Sequence, residues 1–231
     1  AEEVKHKIEF NSPVTKINYS EDKVDVITKT GKVYKADKVL VTVSIGILKS
    51  DYISFIPDIS KEKKDAIESI VFMPGFKLVM KFSEKFYPDI IMCKAKTGEK
   101  GYYDMAFKKD AETHILGLLV QGSSVEDFYC LESEEHIVLK ALEELDQIYE
   151  GKASKAYTGE YALEDWGRHE FTLGTWIESF QYNQSLIQTL NEPLNGKVFF
   201  AGELYDLHHQ LGVPGAIVSG YHSIDKLLTN L

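Results

Sequence analysis

Few residues in this sequence have both a type and a setting that could do chemistry. The apolar run KVFFA delivers Gly202 and Glu203 at its end, and the carboxyl end of a buried strand is where open α/β sheets place ligands. Shortly after it, Gly212, Val213, Gly215 and Ala216 start a helix, whose free amides and positive end suit an electron-rich partner. Lys77 stands on GFKLVMKF, where Phe76, Leu78, Met80 and Phe82 share one strand face and Lys77, Val79 and Lys81 the other. It therefore points away from the aromatic face, and its plainer role is a solvated lysine with its stem on apolar surface. Trp166 and Trp176 bracket WGRHEFTLGTW, and their rings can either present π faces to a cation or fill a core.

Other chemistries find no support. His208 and His209 are adjacent, so they diverge, and no carboxylate or cysteine at ligand spacing makes a metal site with them. Glu160, Glu164 and Asp165 form no convincing acid–base pair, and there is no G-x-S-x-G elbow or P-loop. Cys93 and Cys130 are too few and too isolated for a disulfide framework, and read as reduced thiols.

The elements that must position these residues are short strands and amphipathic helices. PVTKI, KVDVITKT and KVYKAD read as strands punctuated by SED and TGK turns. KVLVTV, apolar without alternation, is expected to be a strand buried on both faces, ending in SIGILKS as a loop. A helix is predicted from a Ser60 cap, with Glu62 in its first turn and Ala66, Ile67 and Ile70 packed, stopped by Pro74. From Lys85 to Gly122 further strands follow, clearest in HILGLLVQG. A second helix starts at a Ser133 cap, shares Ile137, Val138, Ala141, Leu142, Leu145 and Ile148 on one face, and ends at Gly151. KAYTGEYALEDW reads as a strand, Ser185 to Leu190 as a short helix, and the chain closes on a helix through Ile217, Ile224, Leu227 and Leu228.

Composition bounds the partners. Net charge is -10 and Arg168 is the only arginine, which argues against nucleic acid, since phosphate binding depends on clustered Lys and Arg. A negative field favours small cations such as amines. Hydrophobic residues make up 44%, enough to exclude disorder. No apolar run reaches the ~20 residues of a membrane helix, and the charged start AEEVKHKIEF is unlike a signal peptide, so a soluble, cytoplasmic protein is expected.

Four segments in order resemble the flavin-containing amine oxidases, the family of monoamine and polyamine oxidases and histone lysine demethylases. They are PVTKI with KADKVLVTVSIGILKS and FIPDIS, then GFKLVMKFSEKFY, then WGRHEFTLGTW, then KVFFAGE with LGVPGAIVSG. The resemblance implies FAD as cofactor, with Glu203 near its ribose and phosphate region after Gly202, and Gly212, Val213, Gly215 and Ala216 facing the flavin ring edge. Lys77 resembles the family's lysine that holds a water against the flavin N5 and assists reoxidation by oxygen. Trp166 matches a tryptophan packed on the flavin, and Trp176 one wall of the aromatic cage that guides the amine. Val14 matches a backbone contact to adenine, although an ordinary strand valine explains it nearly as well, and Ser44 opens a loop passing the cofactor. The opposite cage wall, often Tyr or Thr, falls on Gly212, which implies a wider cage.

The fold implied is α+β: a mixed-sheet substrate domain with packed helices over residues 51–195, plus partial FAD-binding, Rossmann-like elements from 1–50 and 196–231. The fingerprint G-x-G-x-x-G, which seats the pyrophosphate, is absent from these 231 residues. The chain is thus expected to be the C-terminal portion of a longer enzyme that oxidises an amine with O2, inactive by itself and able to self-associate through the surface its missing part would cover. The rival expectations are a desaturase or protoporphyrinogen-type oxidase, and a non-catalytic binding module.

Overall fold

The computed structural model describes residues 2–95, 99–109 and 112–229. The chain divides into two compact units, one built from Ala1–Val71 with Ser179–Leu231 and the other from Phe72–Glu178. Strands and helices are mixed in both, making an α+β protein.

The first unit opens with strands β1 (Val14–Asn18), β2 (Val24–Thr28), β3 (Val33–Ala36) and β4 (Val39–Val41). Helix α1 (Ile45–Lys49), strand β5 (Ser54–Ile56) and helix α2 (Lys61–Ser69) follow. The SIGILKS segment is therefore a short helix and not a loop: the Ser44 hydroxyl accepts from Ile47 N at 3.3 Å and caps it. Ser60 caps α2 the same way, accepting from Lys63 N at 3.2 Å.

The second unit comprises strands β6 (Phe72–Met73), β7 (Gly75–Phe82), β8 (Ile90–Lys94), β9 (Glu99–Asp104) and β10 (His114–Gln121). Helices α3 (Glu126–Tyr129), α4 (Glu134–Tyr149) and α5 (Lys152–Ala156) lead to strands β11 (Tyr157–Asp165) and β12 (Trp176–Ile177). The chain then returns to the first unit as helix α6 (Gln184–Asn191), strand β13 (Val198–Phe200) and helix α7 (Val213–Thr229).

In the first unit a four-stranded sheet runs β3-β2-β1-β5, and β13 pairs in parallel with β4. KVLVTV is shorter and less buried than its composition suggests: among the described residues β4 pairs only with β13, and of its three residues only Val41 is buried. One face of α7 buries Gly215, Ser219 and Ser223. Small residues are required there because Ser219 Oγ donates to Gly202 O at 2.7 Å and Ser223 Oγ to Phe200 O at 2.6 Å. Ile217, Ile224 and Leu228 are left exposed in consequence.

In the second unit a five-stranded sheet runs β11-β7-β10-β9-β8. One face carries Phe76, Leu78, Met80 and Phe82 with Leu116, Leu118 and Val120, packed on Ile137, Val138, Ala141, Leu142 and Leu145 of α4. Ile148 leaves this stripe and is exposed, because α4 ends one residue later and Glu150 turns left-handed at φ 54°. Inside the core Lys100 pairs with Glu144, whose other oxygen accepts from Tyr102 Oη at 2.9 Å. That network satisfies two charges that would be costly alone.

Candidate functional site

The alternation that buries Phe76 and Leu78 turns Lys77 to the opposite, outer face of the five-stranded sheet. In register Lys77 lies opposite Leu119 on β10 and Glu164 on β11. The half-buried Lys77 makes no hydrogen bond or ion pair among the described residues. Its Nζ sits 5.4 Å from the centroid of the Tyr103 ring. A charged amine leaning on a π face keeps its three N–H groups for an incoming acceptor.

The loop carrying the two tryptophans is tied to the start of β7. Gly167 N donates to Gly75 O at 3.1 Å, Gly174 N to Trp166 O at 2.9 Å, and Thr175 N to Met73 O at 2.8 Å. Trp176 then pairs with Met73 across the β12–β6 ribbon. Both tryptophans are half-buried, so each offers some ring surface. Arg168 stacks on Tyr129 with its Cζ 3.7 Å from the ring centroid, and Tyr129 Oη donates to Asp165 at 2.7 Å. Burial, and then the Asp165 carboxylate, raise the Tyr129 hydroxyl above its ordinary pKa. Lys77, Trp166 and Trp176 thus belong to one unit, on β7 and the loop bound to its first residue.

In the first unit, β13 ends at Phe200 and delivers Gly202 and Glu203, as expected from KVFFAGE. Gly215 sits where a Cβ would lie 2.2 Å from His209 O and 2.9 Å from Glu203 O, so only glycine lets the first turn of α7 approach that loop. Gly212, Val213, Gly215 and Ala216 do start the helix, and Val213 and Ala216 are exposed. Val14 is the first residue of β1. His209 Nδ1 lies 2.7 Å from Asp206 Oδ1, which also accepts from the amides of His208 and His209. Burial pushes the Asp206 carboxyl up, but these hydrogen bonds outweigh it and leave the pKa below its usual value.

The chain from residue 1 to 226 matches the family model described as flavin containing amine oxidoreductase. The protein belongs to the flavin-containing amine oxidase family. It is 27% identical over 237 residues to polyamine oxidase 1 of Zea mays, covering 96% of this chain and 45% of that protein. It is 25% identical over 232 residues to the mouse lysine-specific histone demethylase 1B, covering 95% of this chain and 27% of that protein. The solved cyclohexylamine oxidase of Brevibacterium oxydans IH-35A shares the fold, with a TM-score of 0.78 at 16% identity over 97% of this chain and 49% of that one. The chain therefore spans less than half the length of these relatives. Family membership brings FAD as the cofactor. The start of α7, with exposed positions and tight backbone packing at Gly215, fits an electron-rich ring edge; the glycine fingerprint for a pyrophosphate is not in the sequence.

Two features escape a reading of the sequence. Gln121 ends β10 on the same outer face as Lys77, opposite Gly75, and its side-chain Oε1 is buried with no hydrogen-bond partner. Tyr103 lies across Gly117, where a Cβ would come within 3.0 Å of its Cζ. HILGLLVQG was legible as a strand, but only pairing register tells which of its residues stand beside Lys77.

Proposed function

We propose that this chain forms the amine-facing and part of the flavin-facing structure of an FAD-dependent amine oxidase, the first formed by residues 51–195 and the second by 1–50 with 196–231. The observation that carries this reading is Lys77, whose unpaired ammonium stands on the outer sheet face of β7, with the tryptophan loop bound at the start of that strand. When bound, FAD accepts the hydride from the carbon next to the amine nitrogen and passes electrons to O2. Lys77 holds a water by its free N–H groups and stabilises negative charge as oxygen is reduced. Trp176 presents a ring face that keeps the amine dry and oriented, and Trp166 packs beside it. Glu203 and the α7 amides at Gly212, Val213, Gly215 and Ala216 meet the cofactor's polar edges, with Val14 and Ser44 further along it.

By the family resemblance the second cage position falls on Gly212, and the wider cage this implies keeps a polyene-type substrate as the second reading. Hydrogen peroxide formed with polyamines but not with polyenes supports the amine. Among the described residues no helix is long and apolar enough to cross a membrane. The direct test is the absorbance of the purified chain with and without added FAD. Because the pyrophosphate fingerprint is absent, the chain should bind FAD weakly or not at all, and a yellow protein with stoichiometric flavin would contradict that.

A further inference from the structure

The loop that follows β11 is fastened to a tyrosine on another element. Tyr129, the last residue of α3, packs on the core of the second unit with its ring 6.4 Å from that of Phe76. Its hydroxyl donates to Asp165 Oδ1 at 2.7 Å, and Asp165 ends β11 opposite Phe76 in register. The same carboxylate oxygen accepts from Arg168 N at 3.1 Å, so the chain turns around it. Arg168, the only arginine, lays its guanidinium on the Tyr129 ring at 3.7 Å and donates from Nη2 to Tyr129 O at 3.0 Å. Gly167 leaves the tyrosine hydroxyl its path to Asp165: a Cβ there would stand 2.4 Å from Tyr129 Oη and 3.0 Å from both Gly75 N and Pro74 Cβ.

Residues 165, 167 and 168 are thus all set against Tyr129, and Trp166 lies between them. Its carbonyl accepts from Gly174 N at 2.9 Å and from Thr172 Oγ1 at 2.8 Å, which closes the loop from its far end. A backbone pinned on both sides leaves the half-buried indole only its own two side-chain torsions. The bonds that pin it include the stronger kinds: a hydroxyl donating to a carboxylate, and a planar guanidinium stacked on a ring. We propose that Tyr129, with Asp165 and Arg168, forms a clasp of positioning residues that sets the Trp166 ring relative to β7, the strand carrying Lys77. The inference rests on the amine oxidase reading, in which Trp166 packs beside the cofactor, and adds the residues that hold it there. The hydroxyl of Tyr129 is indispensable to the clasp, whereas at position 165 an amide oxygen can accept the same two bonds.

Native-state hydrogen exchange of the chain, followed by NMR, reads the clasp locally. Tyr129→Phe keeps the ring, its packing on Phe76 and the Arg168 stack, and loses only the hydroxyl. The amides of Gly167 and Gly174, bonded to Gly75 O and Trp166 O, should then exchange roughly tenfold faster, the effect of losing one hydrogen bond to a charged group. The amide of Leu118, in the middle of the same sheet, should keep its rate. With Trp176→Phe as background Trp166 is the only tryptophan left, and adding Tyr129→Phe should lower its fluorescence anisotropy. Asp165→Ala should act like Tyr129→Phe, and Asp165→Asn should stay close to the unmodified chain. Faster exchange at Leu118 to the same degree would make Tyr129 a general stabiliser of the unit and overturn the proposal. Unmoved Gly167 and Gly174 amides, an unmoved Trp166 anisotropy, or an Asp165→Asn as loose as Asp165→Ala would overturn it equally. Neither flavin nor turnover enters these measurements: a protein that shows the clasp but oxidises no amine keeps the clasp and loses the enzymatic reading, while an active oxidase with an unmoved Trp166 does the reverse.

Discussion

At the scale of single residues, two lysines in this protein show opposite solutions. Lys77 keeps its ammonium unpaired, whereas Lys63, 3% exposed, gives its Nζ to the carbonyls of Thr189 at 3.0 Å, Leu190 at 2.6 Å and Glu192 at 2.8 Å at the end of α6. The Phe200 ring lies 4.3 Å away. Burial pushes the Lys63 amine from 10.5 down to about 8. The ammonium is less well solvated than in water, yet the three carbonyls would be worse without it. Lys63→Met is therefore expected to lower stability by about 1–3 kcal/mol in chemical denaturation. The sign of the pH effect follows from the lowered pKa. Between about 8 and 10.5 the unfolded chain holds the extra proton, so stability should rise with pH in that window relative to Lys63→Met. A flat difference between the two proteins would contradict this. Lys63 was invisible as a functional cap in the sequence, where it stands among other lysines of a charged helix start.

At the scale of elements, α7 makes the sharpest contrast. Gly215 is needed because a Cβ would collide with two backbone carbonyls, while at Gly220 on the same helix a Cβ meets nothing within 4 Å. Gly215→Ala is expected to cost about 1–3 kcal/mol by forcing the helix off the Glu203–His209 loop. Gly220→Ala should instead stabilise by roughly 0.5–1 kcal/mol, the ordinary gain of alanine inside a helix. Thermal unfolding of the two variants checks both signs. The serine caps of α1, α2 and α4 show what local chemistry tells: Ser60 and Ser133 were readable, since a hydroxyl ahead of an amphipathic stripe is a strong start signal. Ser44 gives no such signal, because IGILK is too short to show a helical period. Along α7 the apolar Ile217 and Ile224 stay exposed, because hydroxyl contacts from Ser219 and Ser223 to backbone carbonyls choose the small-residue face.

At the scale of the molecule, the α+β architecture and the family were legible because four long motifs occur in order, each with a physical task at a strand end or a loop. Invisible were the neighbours of Lys77 on the outer sheet face: Gln121, Tyr103 and Gly117 take their places only through the register of β7, β9 and β10. The exposed apolar row Val213, Ile217, Tyr221, Ile224 and Leu228 along α7 supports self-association of the isolated chain, and sedimentation should show mass rising with concentration. The central claim concerns Lys77, and rapid mixing of the FAD-loaded protein tests it most directly. Amine added without oxygen should bleach the flavin at similar rates in the unmodified protein and in Lys77→Met, while oxygen should then restore the colour much more slowly in the variant. Equal slowing of both half-reactions, or no bleaching by any amine, would contradict the account.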